Sequence, residues 1–304
     1  MRKMRGLSAW LLCLALLGAL IGCGEEPTPA ATVSVTNTRV AASPTKSVQV
    51  KATAIPQPSA TALPPPYGRE VLGESWEGRP IVGHRFGTGP RKVVLVGNIH
   101  GGTEENTHVL ALEMIAHFQE HIGEVPREVT LWILPTVNPD GLANDARRNA
   151  RMVDLNRNAD TDHDACAQND WVEDTYVTEG IIEGGGGFYP FSEVETQLLR
   201  DFLGDAEVAV FYHSMAGKIF VTSCADHPAS AELAVVLSEA TGYPFAEDGW
   251  VSYPVTGAMV DYLASQGVAA VELELETKVE TEFDRNLAGV EAILQSLDRI
   301  VSVQ

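Results

Sequence analysis

The chain has 304 residues, 45% of them hydrophobic, which is long enough to bury a sizeable core in one domain with additional segments. Its formal net charge of −20 argues against nucleic-acid binding, because phosphate contacts require clustered lysine and arginine. An acidic, solvated surface of this kind is typical of a secreted protein.

Residues 1–22 have the organisation of a signal peptide, with three basic residues in the first five positions and an apolar run from Trp10 to Ile21. The run ends at Leu20-Ile21-Gly22-Cys23, which resembles a bacterial lipoprotein box, in which the cysteine is acylated. We therefore expect an extracytoplasmic lipoprotein, at the cell surface or in the periplasm, that Cys23 anchors in a lipid bilayer. The alternative is an ordinary signal peptide that is cleaved nearby, with Cys23 incidental.

Residues 23–66 are rich in proline, alanine, threonine and serine and show no sustained apolar period. Such a composition cannot bury enough surface to offset chain entropy, so it predicts a disordered tether. The catalytic domain is expected to comprise residues 67–304.

Within residues 67–304, apolar runs bounded by turn residues predict strands that alternate with helices, which is typical of an α/β fold. The predicted strands are Gly78–His84, Arg91–Ile99, Val129–Val137, Glu207–Tyr212 and Val268–Glu276. The predicted helices are Thr107–His121, Ser192–Leu203, Pro228–Thr241, Thr256–Gln266 and Phe283–Val303. Asn138-Pro139-Asp140-Gly141 predicts a turn, and Ser192 to Glu195 has the pattern of a capping box.

The stretch that follows the second of these strands combines metal-binding residue types with a sharp turn. His100 ends the apolar run, two glycines follow, and Glu104 lies four positions after the histidine. One helical turn could bring this imidazole and this carboxylate together, as a zinc site requires. Glu105 is the rival ligand, although on an ideal helix it would point away from His100. The structural alternative is a strand-end histidine followed by a glutamate that the helix dipole favours.

Two further segments carry charge in a pattern that suits a catalytic site. The strand ending near Glu276 places three acids, Glu272, Glu274 and Glu276, on one face, and periodicity does not choose among them. The basic block from Arg147 to Arg151 could neutralise local acids, or it could hold a carboxylate and an oxyanion in fixed places.

Several ordered motifs are similar to those of the zinc carboxypeptidases related to carboxypeptidases A and B. They are Ile99 to Glu104, Asn138 to Gly141, Arg147 to Asn158, Phe211 to Ser214 and Gly267 to Leu275. The His-Gly-Gly-Thr-Glu spacing resembles a branch of that family with one extra residue between histidine and glutamate. The resemblance implies a carboxypeptidase-like α/β fold, with a mixed, twisted central sheet and helices on both faces.

The resemblance also implies one zinc ion per chain. His100, Glu104 and His213 match the three metal ligands, and Asp154 matches an acid that orients the first histidine.

Other positions match residues that handle the substrate. Arg147 corresponds to the arginine that polarises the scissile carbonyl, with its neighbour Arg148 as the rival. Asn156 and Arg157 correspond to residues that hold the terminal carboxylate, and Glu274 corresponds to the general base.

Two more matches concern substrate selection. Tyr253 falls where the family has a mobile tyrosine that covers the substrate, although an ordinary packing role is the alternative. Val260 falls where the family sets side-chain preference, and its apolar character favours neutral C-terminal residues.

Cys13 would leave with the signal peptide, and Cys23 would be acylated. Cys166 and Cys224 therefore remain in an oxidising compartment, either as a disulfide or as two separate thiols.

These implications predict a zinc-dependent carboxypeptidase that removes C-terminal residues from peptides. Relatives of this fold act on peptidoglycan stem peptides, so cell-wall peptide cleavage is a second prediction. A zinc-free lipoprotein that binds peptides is the third, and the longer His100–Glu104 spacing is the feature that favours it.

Overall fold

The structure, a computed structural model, describes residues 66–163, 165–177, 180–222, 227–245 and 251–303. Cys23, the predicted signal peptide and the linker up to residue 65 lie outside the described residues. The strands are β1 (Tyr67–Glu74), β2 (Pro80–Gly87), β3 (Arg91–Val96), β4 (Val129–Leu134), β5 (Thr175–Val177), β6 (Gly180–Ile182), β7 (Val208–Ser214), β8 (Lys218–Phe220) and β9 (Ala269–Leu275). The helices are α1 (Glu105–Glu120), α2 (Pro139–Ala143), α3 (Val194–Leu203), α4 (Pro228–Thr241), α5 (Met259–Ser265) and α6 (Phe283–Val301).

Seven strands form one mixed sheet in the order β1-β2-β4-β3-β7-β9-β8. The central pairings β4–β3, β3–β7 and β7–β9 are parallel. The outer pairings β1–β2, β2–β4 and β8–β9 are antiparallel, and β5 with β6 forms a separate hairpin. The predicted α/β fold with a mixed central sheet is confirmed.

Helices cover both faces of this sheet, as predicted. Val93 and Leu95 of β3 belong to a core that includes apolar residues of α1, α4 and α6. Val94 and Val96 belong to a second core with residues of α3 and α5. Alternate residues of this buried strand therefore pack into two hydrophobic layers, one on each face of the sheet. Within the described residues, no helix has both the length and the apolar character needed to cross a lipid bilayer.

Two local predictions were wrong in detail. The predicted turn at Asn138 is the start of α2, because its side chain accepts a hydrogen bond from Gly141 N at 2.9 Å and proline follows at the first helical position. The capping box at Ser192 is absent. Glu193 is the N-cap of α3, and the Ser192 hydroxyl donates to the Glu193 carboxylate at 2.7 Å instead of capping a backbone N–H. β1, which precedes the first predicted strand, was not predicted.

The parallel arrangement of β3, β7 and β9 determines where functional side chains meet. The carboxyl ends of parallel strands lie at one edge of a sheet. His100 follows β3, His213 lies near the end of β7, and Glu274 lies near the end of β9. In the pairing of β7 with β9, His213 is directly opposite Glu274.

Candidate active site

The loop between β3 and α1 brings His100 and Glu104 together through a single 3-10 turn, Gly101–Glu104. Gly101 has φ +51°, and a Cβ there would lie 2.2 Å from Ala146 O. A side chain would therefore meet both backbone strain and a steric clash, so glycine is required at this position. Asn98 braces the turn, since its Nδ2 donates to Gly101 O at 2.6 Å.

Three potential metal ligands converge at this edge of the sheet. His100 Nδ1 is 2.9 Å from Glu104 Oε1 and 3.2 Å from His213 Nδ1, and His213 Nδ1 is 3.3 Å from Glu104 Oε2. Tetrahedral zinc with bonds of 2.0 to 2.1 Å separates its ligand atoms by about 3.3 Å, so these spacings match. The three residues form a group that could hold a metal ion. Glu105, the rival ligand, is exposed on α1.

The donor chemistry also fits zinc. Two imidazole nitrogens and one carboxylate oxygen make up one of the donor sets of catalytic zinc, which leaves the fourth position open. All three side chains are buried, yet they line a cavity of about 480 Å³, so the open side faces a space that a substrate could fill. Burial raises the pKa of Glu104, but the neighbouring His100 and His213 outweigh it and hold this pKa well below its usual range. The carboxylate is therefore ready to bind a cation.

Asp154 occupies the position expected of the acid that orients His100. Its Oδ1 is 3.2 Å from His100 Nε2, and its Oδ2 accepts from Arg147 Nε at 2.9 Å. Burial raises the pKa of Asp154, but the opposing effects of Arg147 and His100 are larger, so the pKa lies well below its ordinary value. Asp154 and Arg147, whose Nη2 is 2.9 Å from His100 Nε2, fix the orientation of the ring, so that Nδ1 faces Glu104.

The two adjacent arginines are distinguished by their surroundings. Arg147 lines the cavity, and its Nη1 donates to Glu104 Oε1 at 3.2 Å, while 32% of its side chain stays exposed. Burial lowers the pKa of Arg147, but Asp154 and Glu104 more than compensate and raise it. Arg148 lies outside the cavity lining, and its Nη1 donates to Met152 O at 3.3 Å.

The acids of β9 also separate. Glu274 lines the cavity, and its Oε2 is buried with no hydrogen-bond partner among the described residues. Burial is the main cause that raises the pKa of Glu274, although His213 opposes it. Glu272 lines the same cavity and is 4% exposed, whereas Glu276 is exposed and pairs with Arg285 at 2.6 Å.

Asn156 and Arg157 lie on the cavity wall, in a 3-10 turn that begins after Asp154. Arg157 is 4% exposed, and its Nη1 donates to Asn156 O at 2.6 Å. Its Nε has no partner, and no carboxylate of the described chain lies within 4.0 Å of its guanidinium. A buried guanidinium that no carboxylate of the described residues contacts directly is suited to receive a carboxylate from outside the protein.

The two residues assigned to substrate selection are placed differently. Tyr253 lines the cavity and packs against the core on the α3 and α5 side of the sheet. Val260 is fully buried in that core and is not part of the cavity lining. The expectation that Val260 contacts the substrate side chain is therefore corrected, because α5 directs this side chain into the hydrophobic layer.

Cys166 is disulfide-bonded. Cys224, one of whose two predicted states was a disulfide with Cys166, lies outside the described residues.

Three residues of the site were not singled out from the sequence. Ser214 N donates to Glu104 Oε2 at 3.3 Å, Asn138 Nδ2 donates to Ile99 O at 3.1 Å beneath the His100 loop, and Lys278 lines the cavity. Asn138 and Ser214 belong to motifs that carry the resemblance, although neither was given a role. A backbone N–H and a lysine beyond the end of a strand give no sequence signal of their own.

Known proteins share this architecture. A zinc carboxypeptidase of Simulium vittatum is 31% identical over 161 residues, 47% of this chain and 52% of that protein, so the match spans about half the length of this curated relative. The structure of bovine thrombin-activatable fibrinolysis inhibitor in complex with tick carboxypeptidase inhibitor aligns at a TM-score of 0.59, with 20% identity, 78% of this chain and 89% of the other covered. Murein-tripeptide amidase MpaA from Escherichia coli O157 aligns at 0.52, with 22% identity, 77% of this chain and 94% of the other covered.

The two structural likenesses show the fold. The sequence itself matches a family model, described as zinc carboxypeptidase, over residues 67–286. Since that match extends over most of the chain and includes a His-Glu-His group that could bind a metal, the protein belongs to the zinc carboxypeptidase family.

Proposed function

We propose that this protein is a zinc-dependent metallocarboxypeptidase that hydrolyses the C-terminal peptide bond of peptides. The observation that carries the proposal is that one cavity is lined by a metal-ligand group, an acid and a buried arginine, and that Glu274 Oε2 and Arg157 Nε have no hydrogen-bond partner among the described residues. Each of these features alone has a structural explanation. Together they supply a metal site, a base and a carboxylate receptor within reach of one small substrate.

The ligands would be His100, Glu104 and His213. Zinc held there would act as a Lewis acid on a carbonyl oxygen and would lower the pKa of a water molecule towards about 7. The longer His100–Glu104 spacing, which favoured a zinc-free receptor, does not separate the two side chains, since their nearest atoms are 2.9 Å apart.

Glu274 would serve as the general base and then as the acid. Its unpartnered Oε2 can take a proton from water as the water oxygen attacks the carbonyl carbon. The same oxygen then delivers that proton to the amine that leaves. The raised pKa of Glu274 favours the first transfer, because a carboxylate that binds protons more tightly is the stronger base.

Arg147 would stabilise the oxyanion that forms from the carbonyl oxygen. Its guanidinium is fixed by Glu104 and Asp154, and its exposed part faces the cavity. A donor that is held in place before the reaction stabilises developing charge without reorganisation. Asn156 and Arg157 would hold the terminal carboxylate, which restricts cleavage to the last peptide bond.

Cell-wall stem peptides are a second candidate substrate. The likeness to a murein-tripeptide amidase, at 22% identity, supports the idea that this fold can be adapted to such peptides. The predicted lipid anchor at Cys23 would hold the domain near the wall.

We also propose that anchor, on the sequence alone. If Cys23 is acylated, the Cys23→Ser variant should be lost from the membrane fraction.

The proposal is tested with the full chain. We expect about one zinc per molecule and release of single C-terminal residues from a peptide mixture by mass spectrometry, with activity lost on chelation. Glu274→Gln should bind zinc normally and lose a factor of about 10²–10⁴ in rate. Glu276→Gln, on the same strand end but outside the cavity, is the matched control and should be fully active. A zinc-loaded protein that releases no residue from peptides or muropeptides would refute the proposal.

A further inference from the structure

Besides Glu104 and Glu274, a third acid lines the cavity, Glu272, and the proposed reaction does not use it. It lies on β9 two residues before Glu274, on the same face of the strand. Val268 and Ala270, which precede it on that face, are buried in the hydrophobic core. Glu272 is the next residue on this face, at the boundary between the hydrophobic core and the cavity, and it is 4% exposed.

The ionisable base that lies near this carboxylate is His213, a proposed metal ligand, and not a lysine or an arginine. Asn156 Nδ2 donates to its Oε1 at 2.6 Å, and His213 Nε2, at 4.0 Å, is beyond hydrogen-bond distance. No lysine or arginine nitrogen of the described chain lies within 4.0 Å of it. Because a buried carboxylate without a lysine or arginine partner is costly, a cation from a bound molecule would complete the site.

The neighbours of Glu272 indicate which part of a substrate supplies that cation. Asn156 connects Glu272 to the residues expected to hold the terminal carboxylate, since its Oδ1 accepts from Met259 N at 3.2 Å and its backbone oxygen accepts from Arg157. The side chain of the C-terminal residue begins one bond from that carboxylate. Phe220 and Val255 also line the cavity and offer apolar surface to a methylene stem.

We propose that Glu272 makes the enzyme selective for peptides whose C-terminal residue has a cationic side chain. The inference rests on the proposed carboxypeptidase function and names its substrate class. It replaces the preference for neutral residues that Val260 suggested, because Val260 lies in the core. The cation is an ammonium or guanidinium at the end of an aliphatic chain, which lysine, arginine and the diamino acids of wall peptides all provide.

A positioning role is the competing explanation. Glu272 could serve only to orient Asn156, or to hold the ring of His213. Such a role would affect every substrate equally, whereas a charge partner affects only substrates that carry the cation. Comparing two substrates that differ only in that charge therefore separates the explanations.

The experiment compares N-acyl dipeptides that end in lysine or in norleucine, which has the same four-carbon chain without the ammonium. We expect wild type to prefer lysine in kcat/KM by about tenfold or more, as charge-assisted hydrogen bonds imply. Glu272→Gln keeps an oxygen that can accept from Asn156 and removes the charge. This variant should lose most of the preference, mainly because its kcat/KM for the substrate that ends in lysine falls. Its zinc content should not change. Substrates ending in arginine and stem peptides ending in a diamino acid show which source of the cation is used.

Binding provides a measurement that does not depend on turnover. Calorimetry with N-acetyl-lysine and N-acetyl-norleucine should show the same preference in wild type and its loss in Glu272→Gln. Equal affinities in wild type, or an equal loss for both ligands in the variant, would overturn the inference and leave the proposed function intact. Selective binding of N-acetyl-lysine without cleavage of any peptide would instead refute the proposed function alone.

Discussion

Replacing Asp154 with asparagine should weaken zinc binding while leaving all three proposed ligands in place. The Asp154 carboxylate is fully buried, and its Oδ1 lies 3.2 Å from His100 Nε2. Its charge helps to orient the ring so that Nδ1 faces Glu104. Asparagine keeps an oxygen for the backbone N–H of Asn156 but loses the charge that makes His100 a stronger ligand.

The expected magnitude follows from this geometry. Loss of a partner that orients a metal-ligating histidine lowers metal affinity by about 10–100-fold, and one such contact is lost here. Competition of the purified protein with a fluorescent zinc chelator gives the dissociation constant directly. Arg147 also loses a partner at 2.9 Å, so the rate of the zinc-saturated variant should fall as well.

Asp140→Asn is the matched control. Asp140 is also fully buried and pairs with an arginine, since Arg79 Nη1 lies 2.7 Å from its Oδ1, but it is not part of the cavity lining. It should lose stability in a thermal melt and keep a zinc affinity within about twofold of wild type, as expected for a separate site. If Asp154→Asn binds zinc as wild type does, or if Asp140→Asn loses as much affinity, the reasoning is refuted.

Three further predictions concern other parts of the domain. Arg147→Met should lower kcat by about 10²–10³ because it removes the oxyanion donor, whereas Arg148→Met should have no such effect; steady-state kinetics on both variants decides this. Gly101→Ala should destabilise the protein by more than about 1 kcal/mol in urea unfolding, because its positive φ and a close backbone oxygen exclude a side chain, while Gly123→Ala, at an open position, should not. Burial, with help from a nearby arginine, lowers the pKa of His84 below its ordinary 6.5. Between the folded-state pKa and 6.5 the unfolded chain therefore binds more protons, and the free energy of unfolding should decrease as the pH is lowered through this range, by at most about 1.4 kcal/mol per pH unit. His84→Gln should flatten that part of the stability profile, and an unchanged slope would contradict the shift.

The sequence predicted the central strands and the main helices because burial leaves a clear pattern. β3, β4 and β7 are covered on both faces and therefore have long apolar runs, whereas β9 begins with an apolar run and then alternates leucine with glutamate. β1 was missed for the opposite reason. This edge strand, Tyr67–Glu74, contains glycine and charged residues, and its pairing with β2 depends on backbone hydrogen bonds that side chains do not reveal.

The candidate site was predicted largely through resemblance of motifs, and its details required three-dimensional proximity. Spacing alone could not separate Glu104 from Glu105 or Arg147 from Arg148, because each pair consists of two adjacent residues of the same type. The structure separates them by direction, since one of each pair lines the cavity. Val260 shows the limit of position matching, because one helical residue can face either a pocket or the core and only packing decides.

The pairing of β7 with β9 explains why the distance between the proposed metal ligand His213 and the proposed base Glu274 does not depend on loop conformation. His213 and Glu274 are paired residues of adjacent parallel strands, so the backbone ladder fixes the distance between their Cα atoms. Glu272 follows from the same alternation, because two residues along a strand return to the same face. A glutamate at either position must therefore point into the cavity near His213. Strand register alone therefore places two carboxylates at this end of β9. That of Glu274 has an oxygen without a hydrogen-bond partner among the described residues and can transfer a proton, and that of Glu272 is held by Asn156 and can attract a cation.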